Sequence, residues 1–218
     1  MRGGATLNDG PSQWRFTLLG QRFLQEGAAP GDPKATNDRD TFAGALDWRY
    51  AIDPRTQVGA GLQLAKVTFP KNEFEDFNQA LVSVSFLKSL AMPSAPLFLV
   101  TAFASDDDAV RKLPDGVTDK GKHVMGARAY TQVSLNDAIS AFGQLGYTER
   151  RDKSDFARAN TVKRGKDHLG EATLGVLWRF RPLCQVRTQL ALSRNDSNIE
   201  IYDYNRSEIS TAVRCEMN

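Results

Sequence analysis

Few side chains in this sequence are equipped for catalysis. Its two histidines, His123 and His168, are too few for most metal centres, and neither sits at a recognisable ligand spacing. Asp167 beside His168 is an acid–base pair of the kind hydrolases use. No partner carboxylates are identifiable from the spacing, so it reads as a polar pair at a loop edge. The run Asp106, Asp107, Asp108 could offer oxygens to a hard cation and reads more simply as solvated loop acids. No nucleophile elbow, phosphate loop or interleaved basic and aromatic surface is visible. The sequence therefore predicts no catalytic residue, no metal, no cofactor and no nucleic-acid partner.

Composition narrows the setting. The chain has 218 residues, 41% hydrophobic and 25% charged, with 28 basic against 26 acidic side chains and a formal net charge of +2. That is enough for one large β domain, too balanced for disorder, and without the field that would attract polyanions. The mean hydropathy of -0.42 looks soluble, but a transmembrane barrel alternates lipid-facing and lumen-facing residues and averages out polar. No run approaches the roughly 18 apolar residues of a membrane helix. The amino-terminal "MRGGATLNDGPSQW" lacks the apolar core of an export signal, so the sequence predicts either a cytosolic protein or a mature form or fragment.

The elements that must position any site repeat every two residues. Strands are predicted at Ser12–Gln25, Asp40–Ile52, Thr56–Phe69, Phe77–Leu90, Pro96–Ser105, Lys122–Leu135, Ala138–Arg151, Asp167–Phe180, Cys184–Arg194 and Asn205–Met217. Most are about twice the usual globular length and close to the span of a tilted membrane strand. In the second, Phe42, Gly44, Leu46, Trp48, Tyr50 and Ile52 share one face, and Thr41, Ala43, Ala45, Asp47, Arg49 and Ala51 the other. Residues 1–11 read as a disordered or leftover segment, and residues 12–218 as the barrel domain.

Connections alternate in length: long at Glu26–Arg39, tight at Asp53–Thr56, long again at Asp106–Gly121, tight at Asn136 and Asp137. Long on one edge and tight on the other is the layout of an up-and-down outer-membrane barrel. Prolines fall in these connections or at a strand's first residue, where the missing N–H breaks no ladder. If the tight turns are periplasmic, Trp14, Trp48 and Trp178 gather at that rim with Phe16, Tyr50 and Phe180. Such aromatic residues suit a membrane interface; they could instead fill a soluble sandwich core, which leaves the strand lengths and loop asymmetry unexplained.

Cys184 and Cys215 bear on register. If they oppose each other, the last hairpin turns between Ile199 and Glu200, stacking Val186, Leu190 and Leu192 with Ile209 and Val213 on one face. Gln185, Arg187 and Gln189 then oppose Arg214, Ala212 and Ser210 on the other. A cross-strand disulfide is possible at such a pair in an oxidising periplasm, and two unlinked thiols facing lipid are the alternative.

The terminal stretch "RNDSNIEIYDYNRSEISTAVRCEMN" resembles the carboxyl end of the surface lipoprotein assembly modifier family and related outer-membrane barrels with tetratricopeptide repeats. Their last hairpin reads roughly R-N-x-S-N-I-x-L-Y-x-Y-x-R-x-E-x-S-x-x-x-R-x-x-F. Arg194, Asn195, Ser197, Asn198, Ile199, Tyr202, Tyr204, Arg206, Glu208, Ser210 and Arg214 occupy the matching places. "GYTERRDKSDF" and "RGKDHLGEATLGVLWRF" resemble the two preceding strands. The sequence departs from the family at its end, where Met217 and Asn218 replace a terminal aromatic, and in lacking the upstream repeat domain. The resemblance thus implies an amino-terminally truncated member, working without catalysis in the bacterial outer membrane. Its implied partners are membrane lipid, exported lipoprotein or protein cargo, and the barrel assembly machinery.

Three function classes follow. The first is a factor that moves lipoproteins or other proteins to the cell surface, with Arg206, Glu208 and Arg214 of the closing strand lining the route. The second is a passive pore whose lumen residues Arg49, Lys66, Arg128, Arg179, Arg187 and Arg214 favour anions. The third is a soluble β-sandwich binding module.

Overall fold

A computed structural model describes residues 1–24, 38–70, 75–111, 121–158, 161–163 and 165–216. Residues 25–37, 71–74, 112–120, 159–160, 164 and 217–218 lie outside the described residues.

Alternation of residue type has become a single antiparallel sheet of eleven strands in simple meander order. Its strands are β1 (Arg2–Asp9), β2 (Ser12–Phe23), β3 (Arg39–Asp53), β4 (Thr56–Thr68), β5 (Phe77–Ser89) and β6 (Leu97–Ala109). After these come β7 (Lys122–Ser134), β8 (Ile139–Asp152), β11 (Lys166–Arg181), β12 (Cys184–Ser197) and β13 (Tyr204–Cys215). The short strands β9 (Phe156–Arg158) and β10 (Thr161–Lys163) form a separate hairpin between β8 and β11. The fold is that of an up-and-down outer-membrane β-barrel wall, and no second sheet packs against it among the described residues.

Three sequence expectations are corrected. Residues 2–9 are a strand, turned at Gly10, whose φ of 56° suits a residue without Cβ, and paired with β2 from Arg2 opposite Leu19 to Asp9 opposite Ser12. The two glycines and polar residues of "RGGATLND" mask the strand signal. Asp106, Asp107 and Asp108 belong to β6 and not to a loop, because ladder bonds to β5 and β7 carry the strand past its apolar part. The connection after β8 contains the β9–β10 hairpin.

The two faces differ in curvature as well as chemistry. Along β5, Gln79, Leu81, Ser83, Ser85 and Leu87 are half-buried, whereas Ala80, Val82, Val84 and Phe86 are exposed. Neighbouring side chains shield one another on a concave face and splay apart on a convex one, so the polar-rich face is the inside of the curve. The convex face carries exposed Leu46, Leu62, Leu64, Val82, Val100, Leu145, Leu174 and Ile209. That is far more contiguous apolar surface than a water-soluble monomer exposes, and it suits a lipid-facing band about 25 Å tall.

At the tight-turn edge of this band, Trp14 stands 6.1 Å from Trp48, Trp48 stacks on Tyr50 at 6.0 Å, and Trp178 lies 5.7 Å from Phe180. Phe16 is exposed one step higher on β2. The aromatic residues thus line one rim, as their spacing predicts.

Among the described residues β1 and β13 do not pair with each other; they are the two edges of the sheet. Eleven strands in antiparallel order also leave these edges running in the same direction. A ring closed by them alone would need one parallel seam, and only an even number of strands closes with antiparallel pairs throughout.

Candidate functional site: the concave face

Register sets which charges share the inner face. Following ladder partners across the sheet, Arg49, Gly59, Ser85, Thr101, Arg128, Gly146, Glu171, Ser193 and Arg206 form one transverse row. Arg179, Gln185 and Arg214 form another near the tight turns. Arg187 and Glu208 share the same face, opposite Ala212 and Ala191. Lys66 does not join them: it pairs with Phe42 and Asn78, one residue out of phase with inward Ala65 and Val67. It projects from the convex face above Leu64, because a one-residue step in a strand reverses the face.

Two inward phenylalanines organise the mid-height of this surface. Phe103 and Phe142 lie opposite Gly126 and Gly175, and a Cβ on either glycine would sit only 2.7 Å or 2.4 Å from the facing ring. Each ring covers a glycine backbone that leaves space for it. Arg187 lies over the Phe142 ring at 4.5 Å and Arg128 over Phe103 at 5.8 Å, within cation–π range. The sequence reading missed these stacks, whose signal was an inward aromatic paired with glycine on the next strand.

Near the long connections the inner face holds a dense polar network. Asp107 accepts hydrogen bonds from Gln79 Nε2 and Ser105 Oγ, both at 2.8 Å, with Lys122 Nζ at 3.6 Å from its other oxygen. Asp167 is ion-paired with Arg150 and accepts a 2.6 Å bond from Ser197 Oγ. Asp152 accepts a 3.1 Å bond from the Gly165 amide. All three carboxylates are buried, so each is held by the donors that replace its water. Beside this network, Lys153 in the connection reaches Asp106 at 2.8 Å and also pairs with Asp108. Burial opposes its charge, yet the hydrogen bonds to the two aspartates hold its pKa above the ordinary 10.5.

The last hairpin follows the register derived from its cysteines. Cys184 opposes Cys215, Gln185 opposes Arg214, Ala191 opposes Glu208 and Ser193 opposes Arg206. The cysteines are bridged, with Cα atoms 4.2 Å apart, and lie on the convex face in phase with Val186 and Val213. The turn contains a short 3-10 helix at Glu200–Tyr202, braced by Asn195 Nδ2 donating to the Tyr202 carbonyl at 2.6 Å.

Asp167 and His168 are not an acid–base pair. Adjacent strand residues point to opposite faces: Asp167 faces inward, while His168 Nδ1 lies 2.7 Å from Tyr147 Oη on the convex side. Among the described residues no group of three or more His, Cys, Asp or Glu is placed to hold a metal ion.

The chain matches no family model and no curated protein sequence. Among solved structures it is similar to the copper transporter OprC, at 13% identity and a TM-score of 0.53, over 96% of this chain and 38% of that one. Two further structures align at lower scores. LpxR from Salmonella typhimurium has 11% identity and a TM-score of 0.40, over 99% of this chain and 88% of that one. The ferric yersiniabactin uptake receptor FyuA from Yersinia pestis has 11% identity and a TM-score of 0.35, over 98% of this chain and 40% of that one. By fold the chain is an outer-membrane β-barrel. It spans about two-fifths of the OprC chain's length.

Proposed function

We propose that the chain is the membrane wall of a factor in the bacterial outer membrane that helps lipoproteins or other proteins reach the cell surface. The observation that carries this reading is the last hairpin. Its residues resemble those of the surface lipoprotein assembly modifier family, and β13, which among the described residues pairs only with β12, is exposed along nearly its whole length. The outer edge of such a strand offers its N–H and C=O groups to another extended segment. Arg206, Glu208 and Arg214 stand beside that edge on the concave side, where a polar polypeptide would pass. The chain acts without catalysis or cofactor, and its partners are outer-membrane lipid, the exported cargo and the barrel assembly machinery.

A passive anion pore is the second reading. It is supported by Arg49, Arg128, Arg179, Arg187, Arg206 and Arg214 sharing the inner face. The two separate in the cell. Deleting residues 12–218 from the native protein should abolish surface display of a co-expressed lipoprotein while leaving its periplasmic level unchanged. Persistent display would exclude the export reading in favour of the pore.

A further inference from the structure

The convex face is not uniformly ridged. Between β6 and β13 it bears an open groove of about 710 Å³. Its floor is made of small residues: Ala127 and Ala129 on β7, Gly170 and Ala172 on β11. Leu145 and Tyr147 form a ridge between these two strips, and Leu192 with Arg194 forms the next ridge. Most of the lining surface is apolar, although Arg128, Glu171, Ser193 and Arg206 of the concave row also border the groove, which lies within the band assigned to lipid.

The end of the groove nearest the long connections changes character abruptly. Tyr147 meets His168 there. Arg194 pairs through Nε with Asp196 at 2.9 Å, and Arg151 pairs through Nε with Glu149. Each pairing leaves guanidinium N–H groups that can point elsewhere. Lys166 is exposed on the same face, opposite Arg151. Arg194, Arg151 and Lys166 share this end with Glu149 and Asp196, the acids placed between the bases, and Asp106 and Asp108 beyond His123 are met by Lys153.

We infer that this groove holds one acyl chain of a phosphorylated glycolipid of the lipid A class, with its headgroup on the Arg194, Lys166 and Arg151 cluster. A small-residue floor lets a methylene chain lie close to the backbone, gaining dispersion contacts that a chain over Leu or Phe would lose. Phosphate accepts charge-assisted hydrogen bonds from the guanidinium groups. Sugar hydroxyls donate to Glu149 and Asp196, which would repel a bare phosphodiester. The alternation of acids and bases is what favours a headgroup carrying both phosphate and hydroxyls. This inference rests on the membrane-wall fold and is independent of the export reading.

The test is native mass spectrometry of the full chain in dodecyl maltoside micelles, titrated separately with lipid A, dephosphorylated lipid A and phosphatidylglycerol. Wild-type protein should retain lipid A in preference to both others. Gly170→Leu with Ala172→Phe fills the groove; a Cβ at Gly170 meets nothing nearer than the Arg194 carbonyl at 4.0 Å, so the backbone tolerates it. That variant, and separately Arg194→Gln with Lys166→Gln, should each weaken lipid A retention about tenfold. Ala60→Phe, on the convex face of β4, should leave it unchanged. Undiminished retention in the charge variant, which alters only exposed side chains, overturns the proposal even if the groove variant fails to fold. Equal retention of phosphatidylglycerol or of dephosphorylated lipid A overturns the headgroup assignment.

Discussion

Charged residues line both the mouth of the concave face and its last strand, yet the two regions treat charge differently. At the mouth, strands have neighbours on both sides, and Asp107 and Asp167 find partners across strands: Gln79 and Lys122 for one, Arg150 and Ser197 for the other. On β13, Arg206 pairs with Glu208 at 2.6 Å and Arg214 with Glu216 at 3.1 Å, both within the same stretch of chain. Those pairs remain exposed. β13 has one ladder neighbour among the described residues, and its two ion pairs run along its own stretch of chain, as Arg194–Asp196 does on β12. The mouth is thus held by cross-strand contacts, whereas the β13 pairs are local and solvent-facing.

Breaking the covalent clamp should have the largest effect. The disulfide closes a separation of 31 residues, for which loop-entropy arguments give about 3–4 kcal/mol. Cys184→Ser with Cys215→Ser should raise amide hydrogen exchange in β13 and leave β6 unaffected. Equal loosening of both would mean that edge and interior are one cooperative unit, and the contrast would fail.

Asp167→Ala comes next. It removes a buried carboxylate with two donors, and should lower unfolding stability by about 2–3 kcal/mol, read as a lower urea midpoint at unchanged slope. Glu208→Gln at the edge should cost less than about 1 kcal/mol, because its partner is exposed and already solvated. A loss for Glu208→Gln as large as for Asp167→Ala would show the edge to be held as firmly as the mouth.

The smallest effect is a pH dependence. Lys153 has its pKa raised in the folded state, so its contribution is fully present below the ordinary lysine value of 10.5 and disappears as pH rises through the folded-state value. Because Asp108 is exposed and Asp106 only half-buried, the loss should stay under about 1 kcal/mol. Lys153→Met should flatten the alkaline end of the melting-temperature profile, and an unchanged profile would remove Lys153 from the mouth network.

Much of this was legible from local pattern. Ten strands, their connections and the aromatic rim follow from period-two alternation and turn residues, since a strand's two faces are written directly in its sequence. The cysteine pair also fixed the last register, because one cross-strand pairing determines all others in a hairpin. What local pattern misjudged were stretches whose strand character depends on neighbours. β1, with its glycines, and the acidic end of β6 are held by ladders to adjacent strands. Lys66 was misplaced by one step, which in a strand means the opposite face.

The sequence by itself determined an all-β meander with one dry and one wet face, because side-chain alternation and turn chemistry act over a few residues. Only the tertiary structure decided that Phe103 and Phe142 cover facing glycines. It also decided that eleven strands leave two edges running in the same direction. Those outcomes depend on which strands become neighbours and in what register, a property of the assembled sheet that no single segment carries.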